Sequence, residues 1–420
     1  MKILLVGNHT CGNRGDGAIL RGLVDSIKQI NPDVEVDILS RYARSSAFLL
    51  GTAIKQDVLY SSRMNKNGGL VKKVIWKIKN SILPDILVSH AKGKGFLKYF
   101  PLPNNVVEFI KDLEKYDAVI QVGGSFFVDL YGTGQFEHIL CSNIAGKPIY
   151  LVGHSVGPFE NPKFQHIAKY CFTKAEKIIL REDVSLSLME KDNFNLNNVT
   201  LGVDTAFLVD TEKDVNDYAV SHWKKIIKEQ KTVALTVRKL APFDKRLGVS
   251  QDDYEASIAR IVDYLNQLGY QVIIFSTCTG IESYHSDDRM VALSVKNKVH
   301  DSQCCHVVMD EFNDYQLGIL LSNCVFTIGT RLHSAIISIN FGTPAIAINY
   351  EHKSLGVMRG LKMDVLSADV SDVIDGTLIN KIEDLIANMA DIENSLKNNL
   401  QDAKIIGRTM IENILSEIDR

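Results

Sequence analysis

The sequence predicts an α/β protein of two domains, each a doubly wound parallel sheet, followed by a helical tail. Three observations carry that prediction. A chain of 420 residues exceeds what one compact core ordinarily organises. Short runs rich in β-branched residues recur along it and are apolar at consecutive positions, as in strands buried on both faces. Helical patterns separate those runs, and this alternation is the mark of parallel sheets with crossover helices.

In chain order, the first strands are "KILLVGN" (2–8), "VEVDIL" (34–39), "YDAVIQVGG" (116–124), "PIYLVGHSVGP" (148–158), "EKIILRED" (176–183) and "VTLGVD" (199–204). "AILRGLVDSIKQI" (18–30) is an intervening helix. These make a first domain, 1–210. The rhythm pauses over 211–231, which turns from polar to amphipathic and reads as a linker region. It restarts over 232–376 with "TVALTVRK" (232–239), "YQVIIFST" (270–277), "CHVVMD" (305–310), "CVFTIGT" (324–330) and "TPAIAINYE" (343–351). From Thr377 to the end, apolar residues such as Ile379, Ile382, Leu385 and Ile386 recur every three or four positions, so 377–420 reads as helical.

A basic insert interrupts the first domain. Residues 63–98 hold nine Lys or Arg and a single Asp. Within it, "LVKKVIWKIKNSIL" (70–83) puts Leu70, Val71, Val74, Ile75, Ile78 and Ile82 within about 140° of arc at roughly 100° per residue. Lys72, Lys73, Lys77 and Lys79 fall opposite. Such a helix either packs on its own domain or lies on an anionic membrane surface.

Composition narrows the class. The chain is 45% hydrophobic and 23% charged with a net charge of -3, which does not suit a protein built to coat nucleic acid. The seven cysteines (11, 141, 171, 278, 304, 305 and 324) are scattered without a C-x-x-C, and suggest reduced thiols rather than a disulfide frame or zinc site. "HSDD" (285–288) reads as a solvated loop, so no metal and no cofactor are expected. The N-terminus lacks a signal-peptide h-region, and no run of about twenty apolar residues suggests a transmembrane helix. The expected compartment is the cytoplasm.

Candidate site residues sit where ligands meet parallel sheets, at the carboxyl ends of strands. In "GNHTCGNRGDGAIL" (7–20), Asn13 and Asp16 lie at a glycine-rich turn into a helix. They suit hydroxyl groups better than phosphates, since a carboxylate repels a phosphate; Asp16 as a plain helix cap is the alternative. The pattern is neither a Walker loop nor G-x-G-x-x-G. In "VGGSFFVDLYG" (122–132), Gly123, Gly124 and Ser125 would expose backbone. In "GHSVGP" (153–158), His154 would point to the same crevice, or be structural.

The second domain places cations at strand ends. Arg238 follows "VALTV", Arg331 and His333 follow "VFTIGT", and Lys353 follows "AIAINYEH". In an extended chain Arg331 and His333 share a face, and the helix expected at "SAIISIN" would add its first N–H groups. Two such charges about 4 Å apart would repel by roughly 4 kcal/mol at a dielectric near 20, so the set favours a multiply charged anion. The arginines of "SRYARS" (40–45) lack this context.

Together, "GNHTCGNRGDGAILRG", "IQVGGSFFVDLYG", "GHSVGPF", "GVDTAFLVD", "LAPFDKRLG", "STCTGI", "DDRMVAL" and "GTRLHSAIISINF…TPAIAINYEHKS" resemble the polysaccharide pyruvyl transferase family, nearest to its colanic-acid type. The likeness covers nearly the whole chain. It implies two Rossmann-like domains of the glycosyltransferase B kind. It implies transfer of pyruvate from phosphoenolpyruvate to a sugar, such as galactose of a lipid-linked exopolysaccharide unit, as a cyclic ketal with release of phosphate. The donor site implied is Arg238, Arg331, Leu332, His333 and Ser334, with Lys353 added and His333 as catalytic acid or base. Asn13, Asp16, Gly124, Ser125 and His154 fall on the acceptor side. Val122 and His154 stand where many relatives carry glycine and glutamine. With a lipid-linked acceptor, the basic helix would dock on the inner membrane surface. Two other readings stay open: a glycosyltransferase using a nucleotide-sugar, and a non-catalytic carbohydrate-binding protein of the same pathway.

Overall fold

A computed structural model of the chain describes residues 1–64, 70–213, 215–350 and 352–420; the side chains of 62–64, 70–80, 352 and 353 lie outside that description. The chain forms two compact units. Met1–Thr10, Leu23–Thr205 and Arg408–Arg420 make the first, and Cys11–Gly22 with Ala206–Gly407 makes the second. The division therefore falls after Thr205 rather than at 210. Residues 11–22, expected in the first domain, count with the second. The expected linker is mostly a helix, Tyr218–Glu229, because Asp217 caps it by accepting from the Val220 N–H at 3.0 Å. That helix buries Val220, Trp223 and Ile227. Trp223 donates its indole N–H to Asp310 at 2.7 Å.

The first unit is built on β1 (Lys2–Asn8), β2 (Glu35–Ser40), β3 (Lys55–Gln56), β4 (Ala118–Phe127), β5 (Ile149–Val156), β6 (Lys177–Leu180) and β7 (Val199–Leu201). Among the described residues these form one parallel sheet in the order β3-β2-β1-β4-β5-β6-β7. Every residue of β5 is buried, which is why its sequence is apolar on both faces. Phe127, Phe136, Phe159, Phe164, Phe172 and Phe194 pack on one another with ring centroids 4.4–6.4 Å apart, filling one face of the core.

The second unit is built on β8 (Thr232–Thr236), β9 (Gln271–Phe275), β10 (Cys305–Val307), β11 (Phe326–Gly329), β12 (Ala345–Asn349) and β13 (Ser367–Asp369). Their order is β10-β9-β8-β11-β12-β13, again parallel. In each sheet the winding reverses once, at β1/β4 and at β8/β11. A crevice opens beyond the carboxyl ends at such a reversal.

The tail is helical as expected, in Leu378–Ala387 and Met389–Ile418. A helix also spans Leu70–Lys92, longer than the basic stretch read from sequence. The face assigned to Leu70–Ile78 and its lysines falls outside the described side chains. No described helix is long and apolar enough to cross a membrane. All seven cysteines are free thiols, and only Cys304 is not buried.

Candidate active site

Arg331 caps the helix Leu332–Asn340, two residues after β11 ends. Its guanidinium does not stand alone. Nε and Nη2 donate to the two carboxylate oxygens of Asp288 at 2.7 and 2.8 Å, a bidentate pair. Burial works against the Arg331 charge, and the carboxylate more than offsets it, holding its pKa well above the usual guanidinium value. Asp288 is 1% exposed, and it also accepts the Cys278 N–H at 3.0 Å. The "HSDD" stretch is therefore not a solvated loop at its last residue; it carries the partner that fixes Arg331. The expected repulsion among bare cations is likewise absent here, because this one is already neutralised. Asp288 occupies the Nε/Nη2 edge, which leaves the Nη1/Nη2 edge as the face able to receive an anion.

Arg238, two residues after β8, is buried with its guanidinium over aromatic rings: 3.9 Å from the Tyr350 centroid and 5.3 Å from Phe243. Stacking of this kind holds a desolvated guanidinium. Tyr254 feels both Arg238 and Asp288, and its hydroxyl donates to Thr330 at 2.7 Å. Burial pushes that phenol up to about 12, so it stays neutral.

His333 meets the glycine-rich turn where the helix Arg14–Ile30 begins. A Cβ added to Gly15 would lie 2.5 Å from His333 Cγ and Nδ1, so the imidazole rests directly on the Gly15 backbone. Only glycine permits that approach. The loop is held by Arg14, which is 1% exposed and bonds Phe312 O, Glu311, Thr279 Oγ1 (2.7 Å) and Cys11 O (2.8 Å). Asn13 accepts from the Gly15 N–H at 3.1 Å and pairs with Cys278. Asp16 is buried, and with burial itself and Cys278 it raises the Tyr284 phenol. Asn13 and Asp16 thus stand in the second unit beside His333 and the 278–288 loop, not among the first-unit residues with which they were grouped.

The other expected donor residues divide. Leu332 and Ser334 are buried. Ser334 Oγ donates to Arg331 O at 2.6 Å and accepts from Thr236 Oγ1 at 2.7 Å, so both side chains support the turn rather than face a ligand. The Lys353 side chain lies outside the described residues.

In the first unit, His154 is wholly enclosed. Its Nε2 bonds Gln121 O at 3.2 Å and its ring packs on Phe127 at 5.0 Å. Burial lowers its pKa to about 4, so it is a neutral core residue and cannot present itself to an acceptor. Gly124 has φ +137, and an added Cβ would meet the Phe126 ring at 2.6 Å; its glycine exists to seat that ring. Ser125 accepts from Arg181 at 2.8 Å. Arg181 is itself buried, bonded to Asp204 at 2.5 Å and Ser155 at 2.8 Å.

The chemistry of the first-unit reversal point lies in residues the sequence did not single out. Arg41, from the passed-over "SRYARS", sits 4.8 Å from the Tyr60 centroid and 5.9 Å from Phe126. His9 lies within 6.5 Å of Tyr42, Tyr60 and Phe126, and Tyr131 continues the row 6.1 Å beyond Phe126. Gln135 accepts from Arg41 at 2.5 Å. Among the described residues, no group of three or more His, Cys, Asp or Glu could hold a metal ion.

Comparison with known proteins bears on this arrangement. Residues 13–352 match the family described as polysaccharide pyruvyl transferase. Over 419 residues the chain is 49% identical to the amylovoran biosynthesis protein AmsJ of Erwinia amylovora, covering 100% of both. A UDP-GlcNAc 2-epimerase from Neisseria meningitidis bound to UDP-GlcNAc aligns with a TM-score of 0.57 at 11% identity, over 99% of this chain and 100% of that one. A glycosyltransferase from Rickettsia africae gives 0.59 at 12%, over 100% and 98%. At such low identity these structures show a shared glycosyltransferase B-like fold and no more. The match across the His333 turn and the glycine loop, and the full-length relative, decide the lineage: the chain belongs to the polysaccharide pyruvyl transferase family.

Proposed function

We propose that the protein transfers pyruvate from phosphoenolpyruvate to a sugar of an exopolysaccharide repeat unit, galactose on a lipid-linked carrier being the acceptor we favour. One observation carries this reading: Arg331, Arg238 and His333 gather at the β8/β11 reversal of a chain from this family. Phosphoenolpyruvate offers a carboxylate and a phosphate, and an arginine edge can hold either in bidentate fashion. Protonation at C3 turns the methylene into a methyl group and makes C2 electrophilic. One sugar hydroxyl attacks C2, phosphate leaves with the C2–O bond pair, and a second hydroxyl closes the ketal. Of the two hydroxyl protons released, one balances the proton placed on C3 and the other leaves with phosphate. His333 is the proton carrier in this scheme, a role suited to imidazole. The aromatic row of His9, Tyr60, Phe126 and Tyr131 is our candidate for the sugar, since its ring faces match a pyranose C–H face while Arg41 and Gln135 match hydroxyl groups.

The test is incubation with phosphoenolpyruvate and simple galactosides, following phosphate release and product mass. A sugar product carrying one pyruvyl ketal is expected; intact substrates would refute the reading. The same fold would serve one rival, a nucleotide-sugar glycosyltransferase. Calorimetric titration with phosphoenolpyruvate against UDP-sugars separates the two.

A further inference from the structure

The first unit carries a second surface that its core does not explain. After the helix Leu70–Lys92, the chain turns through Gly93 and Gly95, both at positive φ, into a short turn, Phe96–Tyr99. Phe96 is 75% exposed, Tyr99 74% and Phe100 43%. Leaving such rings in water forgoes burial that ordinarily favours folding, and a cluster of them marks a surface that meets something apolar.

These rings are held outward by specific bonds. Ser89 Oγ donates to Lys94 O at 2.6 Å, and His90 Nε2 bonds Phe100 O at 2.9 Å, tying both ends of the turn to the helix. Phe96 and Phe100 brace each other edge to face at 5.5 Å. The local sequence carries charge of one sign. From residue 86 to 107 there are three lysines, Lys92, Lys94 and Lys98, and no Asp or Glu. The Lys92 ammonium lies 4.6 Å from the Tyr170 centroid, and the Lys98 ammonium lies 5.0 Å from that of Tyr99 while donating to Gly93 O at 3.2 Å, so two cations sit on ring faces of this surface.

Exposed aromatic rings ringed by lysines suit an interface with an apolar interior and an anionic skin. We propose that residues 94–100 dock the protein on anionic lipid bilayers, the rings entering the headgroup layer and Lys94 and Lys98 facing lipid phosphates. This goes beyond pyruvyl transfer and stands whether or not that reading does. It also places the contact on residues other than the basic stretch 70–83.

The test is co-sedimentation of the full-length protein with vesicles of equal parts phosphatidylglycerol and phosphatidylcholine. The parent should pellet with them at low salt, less at high salt, and not with phosphatidylcholine alone. Phe96→Ser with Tyr99→Ser should weaken the partition about ten-fold or more. Lys94→Gln and Lys98→Gln should each weaken it about five-fold. Ile405→Ser with Ile406→Ser, an exposed apolar pair of the other unit, should leave it unchanged. Phe96→Trp should shift its emission to the blue on adding anionic vesicles. A parent that stays in the supernatant, or a Phe96/Tyr99 double variant that pellets like the parent, overturns the proposal. So does concentration-dependent self-association abolished by that double variant without vesicle binding, which would make the patch a contact between copies.

Discussion

The reversal points of the two sheets hold their arginines in contrasting ways. At β8/β11, Arg331 is locked by the Asp288 carboxylate and Arg238 lies on Tyr350, while His333 sits against bare backbone at Gly15. At β1/β4, Arg41 lies among the faces of Tyr60 and Phe126 with an amide as partner. The first arrangement fixes charge and an imidazole in place. The second offers a row of ring faces around one guanidinium. One is suited to a small anion in a single pose, the other to a larger ligand recognised by shape.

The contrast can be broken most decisively at His333. His333→Ala should lower phosphate release by about 10²–10⁴-fold, measured under saturating phosphoenolpyruvate; activity near the parent would remove the imidazole from the chemistry. Asp288→Asn should leave Arg331 as an uncompensated buried charge and cost about 3 kcal/mol or more in urea unfolding. Unchanged stability would mean that the pair does not hold the arginine. Gly15→Ala sharpens the point, because alanine favours a helix by about 1 kcal/mol but its methyl must displace the His333 ring. The expected signature is turnover lowered about 10²-fold, measured as phosphate release under saturating phosphoenolpyruvate.

His154 tests the first unit. Its folded pKa, about 4, lies below the ordinary value, so between those two values the unfolded chain binds the extra proton. Its contribution is whole above the ordinary histidine pKa and is lost as pH falls towards 4. Between pH 7 and pH 5 the parent should lose about 2 kcal/mol more than His154→Gln, by denaturant titration at both pH values. Smallest is Tyr131→Ala, at a 47% exposed ring: an acceptor KM raised about five-fold with the donor KM unchanged. A change in the donor constant instead would dissolve the division of labour.

Much of this was legible from the chain. Strands buried on both faces announce themselves by consecutive apolar residues, and eleven such runs each overlap one of the strands found, β2 and β4 running past the end of theirs to Ser40 and Phe127. The two missed, Lys55–Gln56 and Ser367–Asp369, lie at sheet edges, too short and polar to show a pattern. Arg331 and His333 stood out because charge broke an apolar run. Asp288 did not, since a carboxylate amid "HSDDR" looks solvated until its partner 43 residues away is known. Arg41 was passed over for the same reason: its meaning lies in rings from three other strand ends. Gly124 was expected to expose backbone, whereas the Phe126 ring packs on it, and Gly15, where His333 rests, carries no signal of its own in the sequence.

The carboxylate at Arg331 has one more effect. Any anion settling on that guanidinium is attracted by the arginine and repelled by Asp288 at once, so neither inorganic phosphate nor sulfate should be retained tightly. Under the proposed reaction, the spent phosphate would then escape readily, and product inhibition by it should be slight.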